Sequence, residues 1–488
     1  MEVLKGELNS TSTYVPAQLT KDQLLVHHID TLTKINVKID KCELPTFYWL
    51  PKLHKRPYKS RFISNSSHCS TTILSKHITS ALTAVKDHVM KYSETAFSNS
   101  NVNYFWSIKN SSEVIEKLRL RNFQGSQVSS FDFSTLYTSL PIDLIKAKVL
   151  SLVNWCFNRE SKSYLCTSLK AGFFSNKKYD SYRCWSCAEL CEAFTFLMEN
   201  IYVQFDGMVY QQIVGIPMGT NCAQLIADLF LYCYERDFMS NLQKSKRFDL
   251  IDKFNDTSRY LDDIFTIDNP TFAEHIPDLY PRELQLNKAN TSDKETSFLD
   301  LNIKVIGNDI HTSVYDKRDD FGFPIVNFPW LSGDVPRLPS YGIYISQLVR
   351  FARCCTSVLD FHSKNLQITS KLLTQGYRYH KLRKTFGKFF RSYSELLSKF
   401  GDISFQEYVF KGISHPVFYG DLVYKLRRVK DTPNFISSGS KIVKRLRRRQ
   451  YDPLIIERTI GLVLGPCTAL CRLFLKHCTL TNKAVGTI

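Results

Sequence analysis

The sequence lacks a hydrophobic run long enough to cross a membrane. Its most apolar segment, Ile460 to Leu470, is about a dozen residues long and contains a Gly-Pro pair, whereas a spanning helix needs roughly 20 apolar residues. The N-terminus "MEVLKGELNS" has neither the basic region nor the apolar run of a secretory signal. We therefore expect a soluble, intracellular protein with no membrane partner.

A regular cysteine framework is also missing. The 14 cysteines are irregularly spaced, which favours reduced thiols in a folded core over disulfides. Cys184, Cys187 and Cys191 supply the first half of a zinc spacing, but no equally convincing second half follows. Core thiols on a helix are the preferred interpretation. There is no internal repeat of fixed period and no long low-complexity linker.

Acidic residues are scarce relative to basic ones. With 46 Asp and Glu against 64 Lys and Arg, the net charge is +18, which favours a polyanionic partner, nucleic acid before acidic membrane. Aromatic residues make up 13% of the chain, a content typical of folded cores and base-stacking surfaces. A length of 488 residues predicts two to four structural units.

The acidic residues that are present include two suggestive placements. In "QVSSFDFSTLYTSLP", Phe131 and Phe133 share one parity and Asp132 the other, as in a strand with one face on the core. In "RYLDDIFTID", Asp262 and Asp263 lie between apolar pairs, which predicts a hairpin with both carboxylates at its tip. Adjacent strands would bring Asp132 and Asp262 together. Such carboxylates repel one another unless divalent cations lie between them, and Mg²⁺ prefers hard oxygen ligands. On its own, Asp132 could equally cap a following helix.

The remaining pattern is that of a mixed α/β protein. We expect a helix over 72–92, a second over 112–120, a hairpin with Asp206-Gly207 at its turn, a helix capped by Thr220 or Asn221, two strands around Gly307-Asn308 and a helical, basic region over 340–393.

Seven stretches together resemble a reverse transcriptase. "FDFSTLY", "GIPMGTNCAQL" and "YLDD" are similar to its first three palm motifs, "LPKLHK" and "SRFIS" to its fingers motifs, and "LQLNK" and "SFLDLNI" to two later palm motifs. The tract from "SVYDK" to "QLVRFAR" most resembles Penelope-like retroelements, which are related to telomerase reverse transcriptase. The resemblance covers about residues 44–400. It implies an α/β (α+β) right-hand polymerase: an N-terminal lead-in (1–43), fingers and an antiparallel palm sheet (44–310), a helical thumb (311–400) and a basic C-terminal segment (401–488).

The resemblance also implies residue roles. Asp132 and Asp262 would bind both of two Mg²⁺ ions, with the backbone carbonyl of Phe133 as a further ligand, and Asp263 would be a supporting carboxylate at this metal site. Tyr137 would be the steric gate under the incoming sugar, although ordinary core packing is the alternative. Arg61, and with less support Lys52 or Lys55, would contact the triphosphate. Gly215, Pro217 and Gly219 would shape a loop over the template and nascent base pair. Lys288 is the best match to the lysine that protonates pyrophosphate, with Lys294 as a close competitor.

The implied activity is that of an RNA-directed DNA polymerase, a nucleotidyltransferase of a retroelement, which extends a DNA primer on an RNA template with dNTPs in the nucleus. Two alternatives stay open: an RNA-dependent RNA polymerase, which Tyr137 argues against, and a decayed or domesticated fold that only binds nucleic acid. The "YGIYIS" stretch lacks the second tripeptide of a GIY-YIG endonuclease. The arginine cluster at 445–449 fits a nuclear-import signal, a nucleic-acid contact or a solvated face.

Overall fold

The structure is a computed structural model that describes residues 2–9, 12–52, 59–134, 136–290, 292–321, 325–331 and 333–401. The chain divides into two compact units, Met1–Ile310 and His311–Ile488. The fingers, palm and thumb boundaries stay predictions. Lys55 and the C-terminal arginine cluster lie outside the described residues.

The first unit alternates helices and strands. Its helices are α1 (Glu2–Asn9), α2 (Lys21–Lys34), α3 (Thr72–Ser100), α4 (Ser111–Leu120), α5 (Ile142–Glu160), α6 (Cys187–Glu199), α7 (Ala223–Lys244), α8 (Phe248–Asn255) and α9 (Ile276–Leu279). Its strands are β1 (Tyr14–Pro16), β2 (Thr46–Lys52), β3 (Lys59–Asn65), β4 (Val128–Phe133), β5 (Tyr164–Thr167), β6 (Gly172–Ser175), β7 (Arg183–Trp185), β8 (Tyr202–Phe205), β9 (Met208–Gln212), β10 (Ser258–Tyr260), β11 (Asp263–Ile267), β12 (Leu286–Lys288), β13 (Glu295–Phe298) and β14 (Leu301–Ile306).

Strand β15 (Asp309–Val314) contains the boundary between the units, and the second unit is otherwise helical as far as it is described. Its helices are α10 (Arg337–Ser340), α11 (Gly342–Cys354), α12 (Val358–Thr374), α13 (Tyr379–Ser392) and α14 (Ser394–Leu397). Short 3₁₀ turns occupy Phe272–His275 in the first unit and Lys317–Asp320 and Ser398–Phe400 in the second.

The central sheet of the first unit has the strand order β10-β11-β4-β12, with every pair antiparallel. One face of β4 packs on the helices: Phe131 and Phe133 are buried, and their rings lie 4.8 Å from Phe272 and 5.0 Å from Tyr280. Asp132 is exposed on the other face. The predicted alternation along β4 is confirmed, and its physical reason is the two-residue period of a strand that has one face in the core.

The main core lies between this sheet and helices α3, α5, α6 and α7. Helix α7 is apolar on most of its circumference, with Ile226, Phe230 and Met239 all fully or almost fully buried, as expected of a helix enclosed by other elements. The chain therefore has the predicted mixed α/β class, with an antiparallel sheet backed by helices.

The second sheet of this unit, β1-β9-β8-β2-β3, contains the predicted Asp206-Gly207 turn. Both residues have positive φ, 51° and 77°, the conformation that a tight two-residue hairpin needs. Two expectations were wrong in detail. Helix α3 continues to Ser100 instead of residue 92, and α7 begins after Cys222 without a side-chain cap from Thr220 or Asn221.

In the second unit, α13 is strongly two-faced. Leu382, Phe386 and Phe389 are buried, and the exposed face carries His380, Arg383, Lys384, Lys388 and Arg391 with no acidic residue along the helix. Across the described ranges, none of the helices combines the length and apolar character that a bilayer span requires.

Candidate catalytic site

The two adjacent aspartates lie at a hairpin tip, as predicted. Tyr260 pairs with Asp263 across β10 and β11, so Leu261 and Asp262 form the two-residue turn. Leu261 has a φ of +53°, a left-handed conformation that is uncommon for a branched apolar residue and costs on the order of 1–3 kcal/mol. The turn therefore depends on its surroundings to keep this shape.

Cross-strand register joins this tip to β4. Asp263 is the partner of Asp132, and the backbone N–H of Phe133 donates to the carbonyl of Asp262 at 3.1 Å. On the other side of β4, Asp132 is paired with Asn287 of β12. Because directly paired residues share a face of a sheet, Asp263, Asp132 and Asn287 form one row across three strands.

The face that carries this row is covered over part of its length. Ser130, two residues before Asp132, is buried beneath β13, with its hydroxyl 2.6 Å from that of Thr296. Phe265 stacks on Phe298 with ring centroids 5.4 Å apart. The cover ends before Asp132, which is exposed. The acidic row thus lies at the open end of the sheet, where a ligand can approach it.

Tyr137 lies close to this acidic row. It is half-buried, and burial raises the pKa of its hydroxyl to about 12, with the carboxylates of Asp262 and Asp228 acting in the same direction and Arg259 and Arg61 against it. Tyr137 is therefore within electrostatic range of Asp262 and Arg61, although the three residues come from different parts of the chain.

The glycines of "GIPMG" hold their loop against two neighbouring segments. A Cβ on Gly215 would lie 2.2 Å from the carbonyl oxygen of Tyr137, and one on Gly219 would lie 1.9 Å from that of Ser64 in β3. Both glycines have positive φ, 91° and 120°. Hydrogen bonds secure the approach, since Ser64 N–H donates to the carbonyl of Met218 at 2.8 Å. The loop is therefore the link between the strand of Arg61 and the segment of Tyr137.

The roles predicted for Lys288 and Lys52 stay predictions. Lys288 is paired with Phe131, one position away from Asn287, and its ammonium lies 2.5 Å from the carboxylate of Asp293. Its role as proton donor stays a prediction and gains no support from this placement. Lys52 ends β2 in backbone register with Lys59 and is half-buried, and its contact with a triphosphate also stays a prediction.

The donor set matches Mg²⁺ in kind. Within the described ranges, no group of three or more histidine, cysteine, aspartate or glutamate side chains could hold a metal ion by itself. Mg²⁺ commonly takes only one or two protein carboxylates and completes its octahedron with water and substrate phosphates. Carboxylates on neighbouring strands at an open edge fit that mode of binding. The Phe133 carbonyl and the number of ions stay predictions.

Sequence reasoning missed two residues of this region. Asn287 is paired with Asp132 because of the register between β12 and β4. The sequence does not determine that register, and a shift of one residue would pair Lys288 with Asp132 instead. Arg259, three residues before Asp262, is completely buried. The charge of this arginine gave no sign of burial, because arginines in strands are mostly exposed.

Comparisons with known proteins return structural neighbours only. Neither a protein-family model nor a curated protein matches the sequence. Telomerase from Candida albicans, in complex with a TWJ fragment of telomeric RNA, is 11% identical over 98% of this chain and 75% of that chain, with a TM-score of 0.46. The corresponding Candida tropicalis complex is 12% identical over 98% and 68%, with a TM-score of 0.42. Likeness at this level carries no argument about binding or catalysis.

Proposed function

We propose that this chain is an RNA-directed DNA polymerase of a retroelement, most like the Penelope-like group. The observation that carries the proposal is the acidic row at the open end of the central sheet, with Asp132 and Asp263 in register and Asp262 in the adjoining turn. Tyr137 is within electrostatic range of Asp262 and Arg61. The sequence motifs add the order of elements that such polymerases share.

Each group has a definite task in this proposal. Asp132, Asp262 and Asp263 would hold two Mg²⁺ ions, and the chemistry that the bound ions would supply is activation of the primer hydroxyl and stabilisation of the leaving pyrophosphate. Arg61 orients the triphosphate through its planar guanidinium. The ring of Tyr137 lies under the sugar and collides with a 2′-hydroxyl, so dNTPs are preferred. Positioning and charge neutralisation supply most of the catalysis.

The partners of the proposed enzyme are an RNA template and a DNA primer. The exposed cations of α13 in the second unit suit the phosphate backbones of a duplex. A nuclear location agrees with a retroelement that copies RNA onto a DNA 3′ end.

Primer extension tests this proposal. Purified protein, Mg²⁺, a labelled DNA primer and an RNA template are supplied with dNTPs or with rNTPs. We expect extension with dNTPs, weak use of rNTPs, and a loss of at least about 10³-fold in Asp262→Asn because the metal ligands act in the transition state. Asp206→Asn is the matched control, since Asp206 is also at a hairpin tip but on the second sheet; it should retain parental activity.

Other outcomes discriminate the alternatives. Preferential use of rNTPs would identify an RNA polymerase. Duplex binding without incorporation of either nucleotide class, in a folded protein, would leave only a nucleic-acid-binding role. Equal extension by the parent and Asp262→Asn would refute the site.

A further inference from the structure

Arg259 is a fully buried charge next to the proposed catalytic turn. Its side chain is 0% exposed, and every nitrogen of its guanidinium has a partner. Nε and Nη2 donate to the two oxygens of Glu235 at 2.5 and 3.0 Å, and Nη1 donates to Asp228 at 2.7 Å. Burial lowers the pKa of Arg259, but Glu235 and Asp228 outweigh it and raise the pKa overall.

The surrounding charges balance those of the arginine. Lys86 of α3 lies 2.5 Å from the second oxygen of Asp228, and the Tyr280 hydroxyl donates to Glu235 at 2.8 Å. The network therefore contains two cations and two carboxylates. It joins α3, α7 and β10, and we call it the Arg259 network: Arg259, Asp228, Glu235, Lys86 and Tyr280.

Stability alone does not explain such a network. The desolvation penalty of buried ions offsets most of their mutual attraction. Replacing such ions with well-packed apolar residues often leaves the stability of the protein unchanged or raises it. In some proteins, a buried polar or ionic group instead fixes one arrangement of the chain. One further contact indicates which segment of the chain the network holds. Nη1 of Arg259 also donates to the carbonyl of Leu261 at 3.3 Å.

That contact reaches the strained part of the turn. Leu261 is the residue with positive φ, and the peptide that follows it leads into Asp262. The backbone of Arg259 is held as well, because its N–H donates to the carbonyl of Trp106 at 2.7 Å and its carbonyl accepts from Ile108 at 2.8 Å. β10 is only three residues long, so its own pairing offers little resistance to twisting.

We infer that the Arg259 network positions the Leu261-Asp262 turn, and with it the Asp262 carboxylate, relative to Asp132. This inference rests on the proposed function for its catalytic meaning. Because Asp228 and Glu235 belong to α7, which begins four residues after Gly219, the network also ties the turn to the helix that follows the glycine loop. Arg259 is a positioning residue, since it reaches the reacting atoms only through Leu261 and Asp262.

Hydrogen exchange tests the inference without any assumption about activity. The Phe133 amide donates to the Asp262 carbonyl, so its exchange rate reports on the docking of the turn. In Arg259→Lys, which keeps the charge but loses the planar fork, we expect this amide to exchange about tenfold faster. Arg121→Lys is the control: Arg121 lies 2.7 Å from Asp256 and 3.8 Å from Asp268, at the other end of the β10–β11 hairpin, and should leave Phe133 unchanged.

Kinetics provide the second readout. A displaced Asp262 should lower kcat for single-nucleotide addition about 30- to 100-fold while KM for dNTP changes by less than about threefold. The Mg²⁺ concentration at half-maximal rate should rise. If Arg259 had a purely structural role, Arg259→Lys would lower only the fraction of active enzyme. The Mg²⁺ concentration at half-maximal rate would then stay unchanged. Arg121→Lys should keep both parameters near the parent.

Tyr280→Phe covers the case in which Arg259→Lys fails to fold, because it removes one hydrogen bond and no charge. We expect about threefold faster exchange at Phe133. Parental exchange at Phe133 in every folded variant of the network overturns the inference. If the parent protein shows no polymerase activity, the proposed function fails, and the exchange data still decide whether the network holds the turn.

Discussion

Gly215 offers the sharpest perturbation of the proposed nucleotide site. Its N–H donates to the carbonyl of Leu140 at 2.7 Å, and the next N–H, of Ile216, donates to the carbonyl of Tyr137 at 2.8 Å. In Gly215→Ala the new methyl group would lie 2.2 Å from the Tyr137 oxygen and 3.0 Å from the Cα of Thr138. Since both contacts are to backbone, no rotamer change can relieve them.

The size of the effect follows from that distance. Restoring ordinary contact requires the two segments to separate by about 1 Å, and a misplacement of this size near a reacting group can lower the rate about 100-fold. That factor corresponds to about 2.7 kcal/mol in the activation free energy. Because Tyr137 is the proposed steric gate, we also expect a loss of discrimination between dNTPs and rNTPs.

The assay is single-nucleotide addition at varied dNTP and rNTP concentrations. We expect kcat/KM for the dNTP to fall about 10- to 100-fold in Gly215→Ala, with a smaller fall for the rNTP. Gly207→Ala is the matched control, because Gly207 also has a positive φ, 77°, but among the described residues no atom other than those of its chain neighbours lies within 4 Å of its added Cβ. Gly207→Ala therefore introduces backbone strain, as Gly215→Ala does, but no steric clash of the new methyl group. Parental efficiency and selectivity in a folded Gly215→Ala would show that the close approach of Gly215 does not position Tyr137 for catalysis.

Three further results are expected. Gly219→Ala, whose Cβ would lie 1.9 Å from a backbone oxygen, should lower the free energy of unfolding by about 2–4 kcal/mol in urea titrations; a loss no larger than that of Gly207→Ala would contradict the close approach. Burial lowers the pKa of Lys117 to about 8, so between about pH 8 and 10 this lysine binds more protons in the unfolded state than in the folded state, and its own contribution to stability should rise by about 1–3 kcal/mol with pH. Lys117→Met should lack this rise, and parallel pH profiles would count against the shift. Replacing the exposed Lys384 and Lys388 with Gln should weaken duplex binding and reduce the salt slope by about 2, whereas an unchanged slope would exclude phosphate contacts there.

Local patterns account for most of what the sequence predicts correctly. The alternation of Phe131, Asp132 and Phe133 needs only the period of a strand, and the Asp206-Gly207 turn needs only residues that tolerate positive φ. The tip position of Asp262 and Asp263 follows from apolar pairs on both sides. In each case the information lies within about ten residues of chain.

The errors come from tertiary contacts and weak local signals. The last turns of α3, "SETAFSNS", have no apolar stripe, so periodicity ends the helix too early. Helix α7 has no side-chain cap, and the N–H of its first residue, Ala223, instead donates to the backbone carbonyl of Thr220 at 3.1 Å. The difference between Asn287 and Lys288 is a register shift of one, which no local pattern determines. The burial of Arg259 depends on partners 24 and 31 residues away.

In the proposed polymerase, Asp132, Asp262 and Asp263 together hold metal ions against a nucleotide. Electron paramagnetic resonance of Mn²⁺, titrated into the protein with a primer–template and a dNTP facing a 3′-blocked primer, counts those ions directly. We expect two bound Mn²⁺ per ternary complex in the parent and the loss of at least one in Asp132→Asn, with Asp206→Asn unchanged. Equal Mn²⁺ binding by the parent and Asp132→Asn would contradict this metal-binding role.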